Sequence, residues 1–296
     1  MSRWWFAPHP LARVAVLRTV LYLFVPLDVL VVTPWVGSHG AVPVALYSPV
    51  LLPRLLHLPT PTMSLVVLEV VLLTASLVAA AGRLPRLAGA VVAVGYTEWM
   101  FVAMSYSKID HDRFALLVAL WVLPTVGRAH RRDLSTSEAA GWALRAVTVA
   151  VVATYFLSAW AKMRWGGWGW ANGETFYWAM SRRGTWLGHR LLDVPWALHV
   201  FQWVVLAAEA SSPLLLLLRP RWQRWGVAFF VGFHAMTYAT ISIHFLPHVV
   251  CLLAFLPLEQ LPVRIRAFAV RAGSVGGSGG KARTSPRAVR APAGST

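Results

Sequence analysis

The residue whose surroundings most suggest chemistry is Lys162, which lies within the apolar and aromatic stretch YFLSAWAKMRWGGWGWANGETFYW, residues 155–178. Thr148, Tyr155, Ser158 and Lys162 follow one another at spacings of seven, three and four residues, so on a helix they share one face. A polar stripe on a membrane helix normally faces the protein interior. Because burial disfavours the charged form of an amine, Lys162 could act as a base. The alternative is a lysine that extends its ammonium into the outer headgroups.

A second candidate site is the segment SKIDHDR, residues 107–113, in which two aspartates flank His111. Histidine beside carboxylates is suited to proton transfer or to metal binding. A metal would need further ligands, for which His189, His244 and His248 are the candidates. The alternative is a hydrated turn with a local network of ion pairs.

A third candidate is His234, which lies within an apolar run. Tyr238 and Ser242 follow at four-residue spacing, with Thr237 alongside, and form a second polar stripe. Ionisable groups within a membrane are functional candidates by default. The alternative is a hydrogen-bonded histidine that only helps the helices to pack.

Four carboxylic acids also lie within apolar runs: Asp28, Glu69, Glu98 and Glu209. A charged side chain at the centre of a membrane helix costs about 2.5–3.5 kcal/mol on insertion scales. These groups should therefore be protonated or paired, and Arg18 is one possible partner. Structural pairing between helices is the favoured interpretation for Asp28, Glu69 and Arg18.

The elements that would position these residues are membrane helices. Hydrophobic residues make up 57% of the 296 residues and charged residues only 13%, against about 25% charged in soluble domains. The net charge of +16 comes from short arginine clusters between apolar runs, as in topology signals, so nucleic acid is not an expected partner. The single cysteine, Cys251, excludes an intramolecular disulfide and a cysteine-based metal site.

We predict an all-α, polytopic transmembrane bundle of about eight spans, in a domain of residues 1–266, followed by a disordered basic tail, 267–296. Residues 37–62 are expected to lie along the interface, and residues 164–194 to form a Trp/Gly segment and a loop. Pro26 should kink the first span. The expected spans are about 10–36, 63–82, 87–106, 114–127, 139–163, 196–218, 224–243 and 247–261.

The distribution of arginine predicts the orientation. If the N-terminus is cytoplasmic, nearly every inner loop is a compact basic cluster, whereas the outer loops are longer and more dilute. We therefore expect a multi-pass protein of the cell membrane with both termini in the cytoplasm. Residues 107–113, Lys162 and the Trp/Gly segment then face the outer side.

The order of several motifs resembles the HTTM family, which includes the membrane part of vitamin K-dependent gamma-carboxylase. The motifs are VLRTVLYLFVPLDVL, SKIDHDRFALLVALW, YFLSAWAKMRWGGW and GFHAMTYATISIHFLPHVVCLLAFLP. The resemblance places Lys162 at the family's proposed catalytic base, His111 and His234 at family histidines, Glu209 at an acidic position and Phe245 at the family's phenylalanine turn. In the family, the base deprotonates reduced vitamin K at the lumenal face, and oxidation then drives glutamate carboxylation.

The carboxylase has a sizeable lumenal domain after its helices, in place of which this sequence has a basic tail. Carboxylation of protein glutamates by this chain alone is therefore not expected. We predict instead an outer-face lysine base that acts on a quinol-like lipid, so a reduced quinone is the candidate cofactor and the lipid bilayer the expected partner. The alternative is a non-catalytic membrane protein for binding, export or partner anchoring. Predicted catalytic residues are Lys162, His111 and His234, and predicted substrate contacts are Tyr155, Trp165, Trp168, Tyr238 and Glu209.

Overall fold

The computed structural model describes residues 2–55, 64–106 and 109–261. These residues are mostly helical with almost no strand, which confirms the all-α prediction, and those up to Glu259 form one compact unit. The predicted disordered tail, 267–296, lies outside the described residues. The α-helices are α1 (Ser2–Trp5), α2 (Leu11–Leu27), α3 (Leu51–Leu55), α4 (Ser64–Ala80), α5 (Leu87–Met104), α6 (Phe114–Val122), α7 (Glu138–Gly166), α8 (Glu174–Arg183), α9 (Trp186–Leu192), α10 (Pro195–Ser211), α11 (Pro220–Ile241) and α12 (Leu246–Cys251).

Several α-helices continue into 3₁₀- or π-helical segments. A π-helical segment, Asp28–Val32, follows the end of α2 and begins two residues after Pro26, where the sequence predicts a kink. Two 3₁₀ segments follow, Pro34–Ala41 and Val44–Leu46, mostly within the residues expected to lie along the interface, 37–62. Further 3₁₀ segments extend α6, α10 and α12 as Leu123–Val126, Ser212–Leu216 and Leu252–Phe255, and Leu258–Gln260 follows.

Four helices in the described part of the chain are long and apolar enough to cross a membrane: Leu11–Val32, Leu87–Met104, Glu138–Gly166 and Pro195–Leu216. The chain is therefore compatible with an integral membrane protein. Eight spans remain a prediction. The apolar helices Leu65–Ala80 and Leu246–Phe255 are shorter, while α11 is 22 residues long but opens with the polar stretch RWQR.

Apolar side chains lie exposed on the outer faces of several helices. On α4, the exposed fraction is 70% for Val66, 64% for Val67 and 55% for Leu77. On α10, Val200 and Val204 are similarly exposed. A water-soluble protein rarely exposes such contiguous apolar surface, whereas a lipid bilayer would cover it favourably.

The segment expected to be a Trp/Gly region and a loop, 164–194, is mainly helical, so this part of the prediction was wrong. Gly167 ends α7 with φ +60°, and Gly173 starts α8 with φ +91°, conformations that a side chain would strain. A 3₁₀ turn, Trp168–Ala171, lies between them. Thr185 caps α9, because its hydroxyl accepts a hydrogen bond from the Gly188 amide at 3.2 Å.

The aspartate of α2's π-helical extension is paired, but not with Arg18. Asp28 accepts a hydrogen bond of 2.7 Å from the Tyr96 hydroxyl and lies 3.6 Å from the Arg113 guanidinium. Arg113 also contacts Asp110 and Asp112 at 3.6 and 2.9 Å. This part of SKIDHDR is therefore a largely buried ion network that ties the entry of α6 to α2.

Arg18 has a different role from the expected ion pair with an acidic residue. Its guanidinium donates to the carbonyl oxygens of Gly127 and Ala129, at 2.7 and 3.3 Å. Backbone carbonyls that end a helical segment carry partial negative charge, so the arginine satisfies acceptors that would otherwise be unpaired.

The N-terminal segment is fastened to the start of α7. His9–Pro10 pairs antiparallel with Thr136–Ser137 in the short β1–β2 ladder. Arg13 forms a bidentate salt bridge with Glu259, with both N–O distances at 2.8 Å. These contacts therefore join the start of α2, the start of α7 and the 3₁₀ turn Leu258–Gln260.

Candidate functional site

A cavity of about 320 Å³ lies where α7, α10 and α11 meet the turn before α6 and the start of α12. Its polar wall comes mainly from α7, because residues 155, 158 and 162 lie on one helical face as their spacing predicts. Glu209 of α10 and His234 of α11 complete that wall.

Lys162 and Glu209 form an ion pair in the cavity wall. The Lys162 ammonium donates a hydrogen bond to Glu209 Oε2, and the Ser158 hydroxyl lies 3.4 Å from the other carboxylate oxygen. The ring of Trp170 lies with its centroid 5.0 Å from the ammonium, within the range of a cation–π contact. The side chain of Lys162 is 22% exposed and that of Glu209 is 7% exposed, so the lysine does not extend freely away from the protein.

Tyr155 and His234 form a second polar pair, deeper in the same cavity. The Tyr155 oxygen lies 2.8 Å from His234 Nε2, and both side chains are buried. The Tyr155 ring stacks on Phe230 with centroids 4.1 Å apart, which fixes the direction of its hydroxyl. The other ring nitrogen of His234, Nδ1, has no partner among the described residues.

His248 lies beside this pair. Its ring is 4.5 Å from Tyr155, edge to face, and 5.9 Å from His234. It is 1% exposed, and neither ring nitrogen has a hydrogen-bond partner in the part of the chain that the structure describes. Buried polar atoms are almost always satisfied in native proteins, so these nitrogens indicate room for a bound polar group or water in the cavity.

His111 and Asp112 lie at the edge of the cavity. His111 is exposed and its ring centroid is 6.4 Å from that of Phe245, which separates it from His234. Burial raises the pKa of Asp112 above its ordinary value, while the Arg113 guanidinium opposes the rise. His111 therefore lies at the solvent-exposed edge of the cavity, whereas His234 is buried in its wall.

The metal alternative for His111 is not supported. His189 and His244 do not line the cavity. Within residues 2–55, 64–106 and 109–261, no three His, Cys, Asp or Glu side chains are grouped so that they could hold a metal ion.

Most of the predicted site residues converge, but three of the eight do not. Lys162, His111, His234, Tyr155 and Glu209 all line the cavity. The other three are largely exposed and lie outside its lining: Trp165 is 81% exposed, Trp168 73% and Tyr238 57%.

The aromatic and polar lining differs from the prediction for local reasons. The turn at Gly167 directs Trp168 toward Trp203, with which it stacks at 5.9 Å, and brings Trp170 to the cavity instead. On α11 the lining continues from His234 to Thr237, one residue before Tyr238. The sequence predicts His248 only as a candidate metal ligand, although its place in an apolar run is a signal that it could be buried.

A second cavity, of about 410 Å³, adjoins the first and is lined almost only by apolar side chains. It lies between α8, α10 and α11. The two cavities share lining residues: Phe176, Ala179, Val205, Phe233, Thr237 and Ile241. A ligand with a polar head and an apolar body could therefore occupy both.

Searches with this chain against protein-family models, curated proteins and solved structures return no match.

Proposed function

We propose that this chain is an eight-span membrane protein of the HTTM type that binds a quinol-like lipid and removes a proton from its hydroxyl group. The observation that carries the proposal is the Lys162–Glu209 pair, which lines a cavity together with Tyr155 and His234. The adjoining apolar cavity offers space for the lipid tail. The basic loops favour an orientation with both termini in the cytoplasm and this cavity toward the outer side.

The proposed step balances in protons and charge. A net-neutral Lys162–Glu209 pair shares one proton that both groups can hold. A ligand hydroxyl transfers its proton to the pair, whose charge becomes +1, with the amine and the carboxyl both protonated. The oxyanion that results is stabilised by the adjacent ammonium. Tyr155 and His234 are placed to orient the ligand by hydrogen bonds.

The test is to reconstitute the purified protein in liposomes with a reduced quinone, to supply dissolved oxygen as the oxidant that takes two electrons from the deprotonated quinol, and to follow formation of the quinone spectroscopically. We expect Lys162→Ala to lower turnover about 10²–10⁴-fold, the usual contribution of a general base. Arg164→Ala is the matched control, because Arg164 is an exposed cation on the same helix that lies 4.9 Å from the exposed Trp165 ring. Equal turnover in wild type and Lys162→Ala would contradict the proposal.

A second candidate is a non-catalytic binding, export or anchoring protein with the same fold. The observation that favours it is again the contact with Glu209, because an ion pair between two helices can serve packing alone. This candidate predicts that lipid mass spectrometry of the purified protein finds a bound lipid, while wild type consumes no quinol.

A further inference from the structure

A third cavity, of about 310 Å³, lies near the opposite end of α7. Arg145 of α7 lines it, 17 residues before Lys162 in the sequence, which corresponds to about 25 Å along a helix. The proton-transfer site proposed above therefore does not include it. Its polar lining also includes His9, Arg13 and Gln223.

The charges around this cavity are not balanced. Arg13 is neutralised by its bidentate salt bridge with Glu259. Arg145 has no carboxylate partner among the described residues, and its buried Nε has no hydrogen-bond acceptor there. The guanidinium instead lies 4.2 Å from the centroid of the Trp4 ring. A half-buried guanidinium with unused donors is a favourable place for an anion.

The pKa of His9, which also lines the cavity, is affected by the same positive charges. His9 Nδ1 lies 3.3 Å from an Arg13 nitrogen. Burial, and then the charges of Arg13 and Arg145, lower the pKa of His9 to about 4. At neutral pH the histidine is therefore neutral and leaves Arg145 as the uncompensated charge.

Backbone hydrogen bonds fix the N-terminal segment at this cavity. The amides of Leu11 and Ala12 donate to the carbonyls of Ser135 and Asp133, at 2.9 and 2.7 Å. These bonds hold the N-terminal segment, which carries Trp4 and His9, against the start of α7. A ligand would meet a formed site and lose little affinity to ordering of the protein.

We propose that this cavity binds a phosphate group through the unpaired guanidinium of Arg145, which lies over the Trp4 ring in a cavity that Arg13 also lines. The favoured source is the headgroup of an anionic phospholipid, because Leu216, Leu218 and Phe255 line the same cavity and could contact acyl chains. Inorganic phosphate has the same anionic chemistry without the chains, so it serves as the comparison.

The test uses full-length protein in a neutral detergent. Native mass spectrometry measures retention of phosphatidylglycerol against phosphatidylcholine, and thermal unfolding measures protection by added phosphatidylglycerol or by inorganic phosphate. We expect wild type to retain phosphatidylglycerol preferentially and Arg145→Gln to bind it about tenfold more weakly, the usual effect of losing a charge-assisted contact. Arg221→Gln, which removes an exposed charge outside the cavity, should bind as wild type does.

A second variant separates binding from folding. Arg145→Lys keeps the charge and loses the planar set of donors, so its affinity should lie between those of wild type and Arg145→Gln. Protection by inorganic phosphate that depends on Arg145 would support the site and identify a soluble source. The proposal is overturned if wild type shows neither a preference for phosphatidylglycerol nor protection by phosphate, or if Arg145→Lys and Arg145→Gln both bind as wild type does.

Discussion

The hydroxyl of Tyr155 lies 2.8 Å from Nε2 of His234, which links α7 to α11 inside the bundle. The two residues are 79 positions apart in sequence and are 4% and 7% exposed. Removing one partner of a buried hydrogen bond lowers stability strongly, because the remaining polar group then has neither a protein partner nor water. The contact therefore contributes to stability whether or not the cavity is catalytic.

Loss of this hydrogen bond should be measurable in Tyr155→Phe. We expect a loss of about 1–3 kcal/mol in the free energy of unfolding, because Nε2 of His234 is left unsatisfied in a buried place. Chemical unfolding in detergent measures the change. Tyr238→Phe is the control, since that side chain is 57% exposed and its substitution should have almost no effect. Equal effects of the two substitutions would argue against the hydrogen bond.

The Lys162–Glu209 pair should behave as a coupled unit. Lys162→Met leaves the carboxylate of Glu209 unpaired at 7% exposure, with an expected cost of about 3–5 kcal/mol. Glu209→Gln should cost less, because Lys162 is 22% exposed and can reach more solvent. The double variant should be more stable than the sum of the single effects implies. Strict additivity in a double-mutant cycle would mean that the two groups do not interact.

The packing of the N-terminal segment against α7 should require that residue 141 has no side chain. A Cβ atom there would collide with the backbone carbonyl oxygen of Ala7, which cannot rotate away as a flexible side chain could. We expect Gly141→Ala to cost about 1–3 kcal/mol and to increase protease cleavage at Arg3.

The control for Gly141→Ala is Gly232→Ala. It lies within α11 with no atom in reach of a new Cβ, so the same substitution there should be neutral or stabilise by up to about 1 kcal/mol. Destabilisation of similar size at both positions would indicate a general effect of alanine rather than the contact with Ala7.

Acidification should lower the free energy of unfolding through protonation of His9. The pKa of His9 is about 4 in the folded state against an ordinary 6.5, so the unfolded chain binds the proton more tightly. The contribution to stability is therefore complete above pH 6.5 and is lost as the pH falls toward 4. We expect about 1–2 kcal/mol after solvent screening.

The pH dependence can be assigned by comparing unfolding temperatures between pH 7 and pH 4 for two variants. His9→Gln should remove part of the decrease seen in wild type. His130→Gln should retain it, because that histidine is exposed. The same pH dependence in wild type and His9→Gln would assign the effect to other groups.

Helical periodicity was sufficient to predict much of the site. The spacing of Tyr155, Ser158 and Lys162 placed them on one face of α7, and that face lines the cavity. The acidic partner could not be predicted, because sequence spacing within one helix says nothing about which residue of another helix packs opposite. Glu209 was expected to be protonated or paired, and the structure shows its partner to be Lys162.

The misplacement of Trp168 has a different cause. Trp168 is close to Lys162 in sequence, but Gly167, which has a positive φ, redirects the chain directly before it. Likewise Asp28 meets Arg113, which is 85 residues away, rather than Arg18 in the same helix. Both errors arise where backbone direction or long-range packing decides the contact, which a local pattern does not encode.

The salt bridge between Arg13 and Glu259 joins positions 246 residues apart, near the two ends of the compact unit. A ribosome completes α2 long before it reaches Glu259, so Arg13 meets its carboxylate partner only when almost the whole compact unit has been synthesised. This salt bridge is therefore one of the last contacts of the unit that can form during synthesis. A chain halted before residue 259 would lack it.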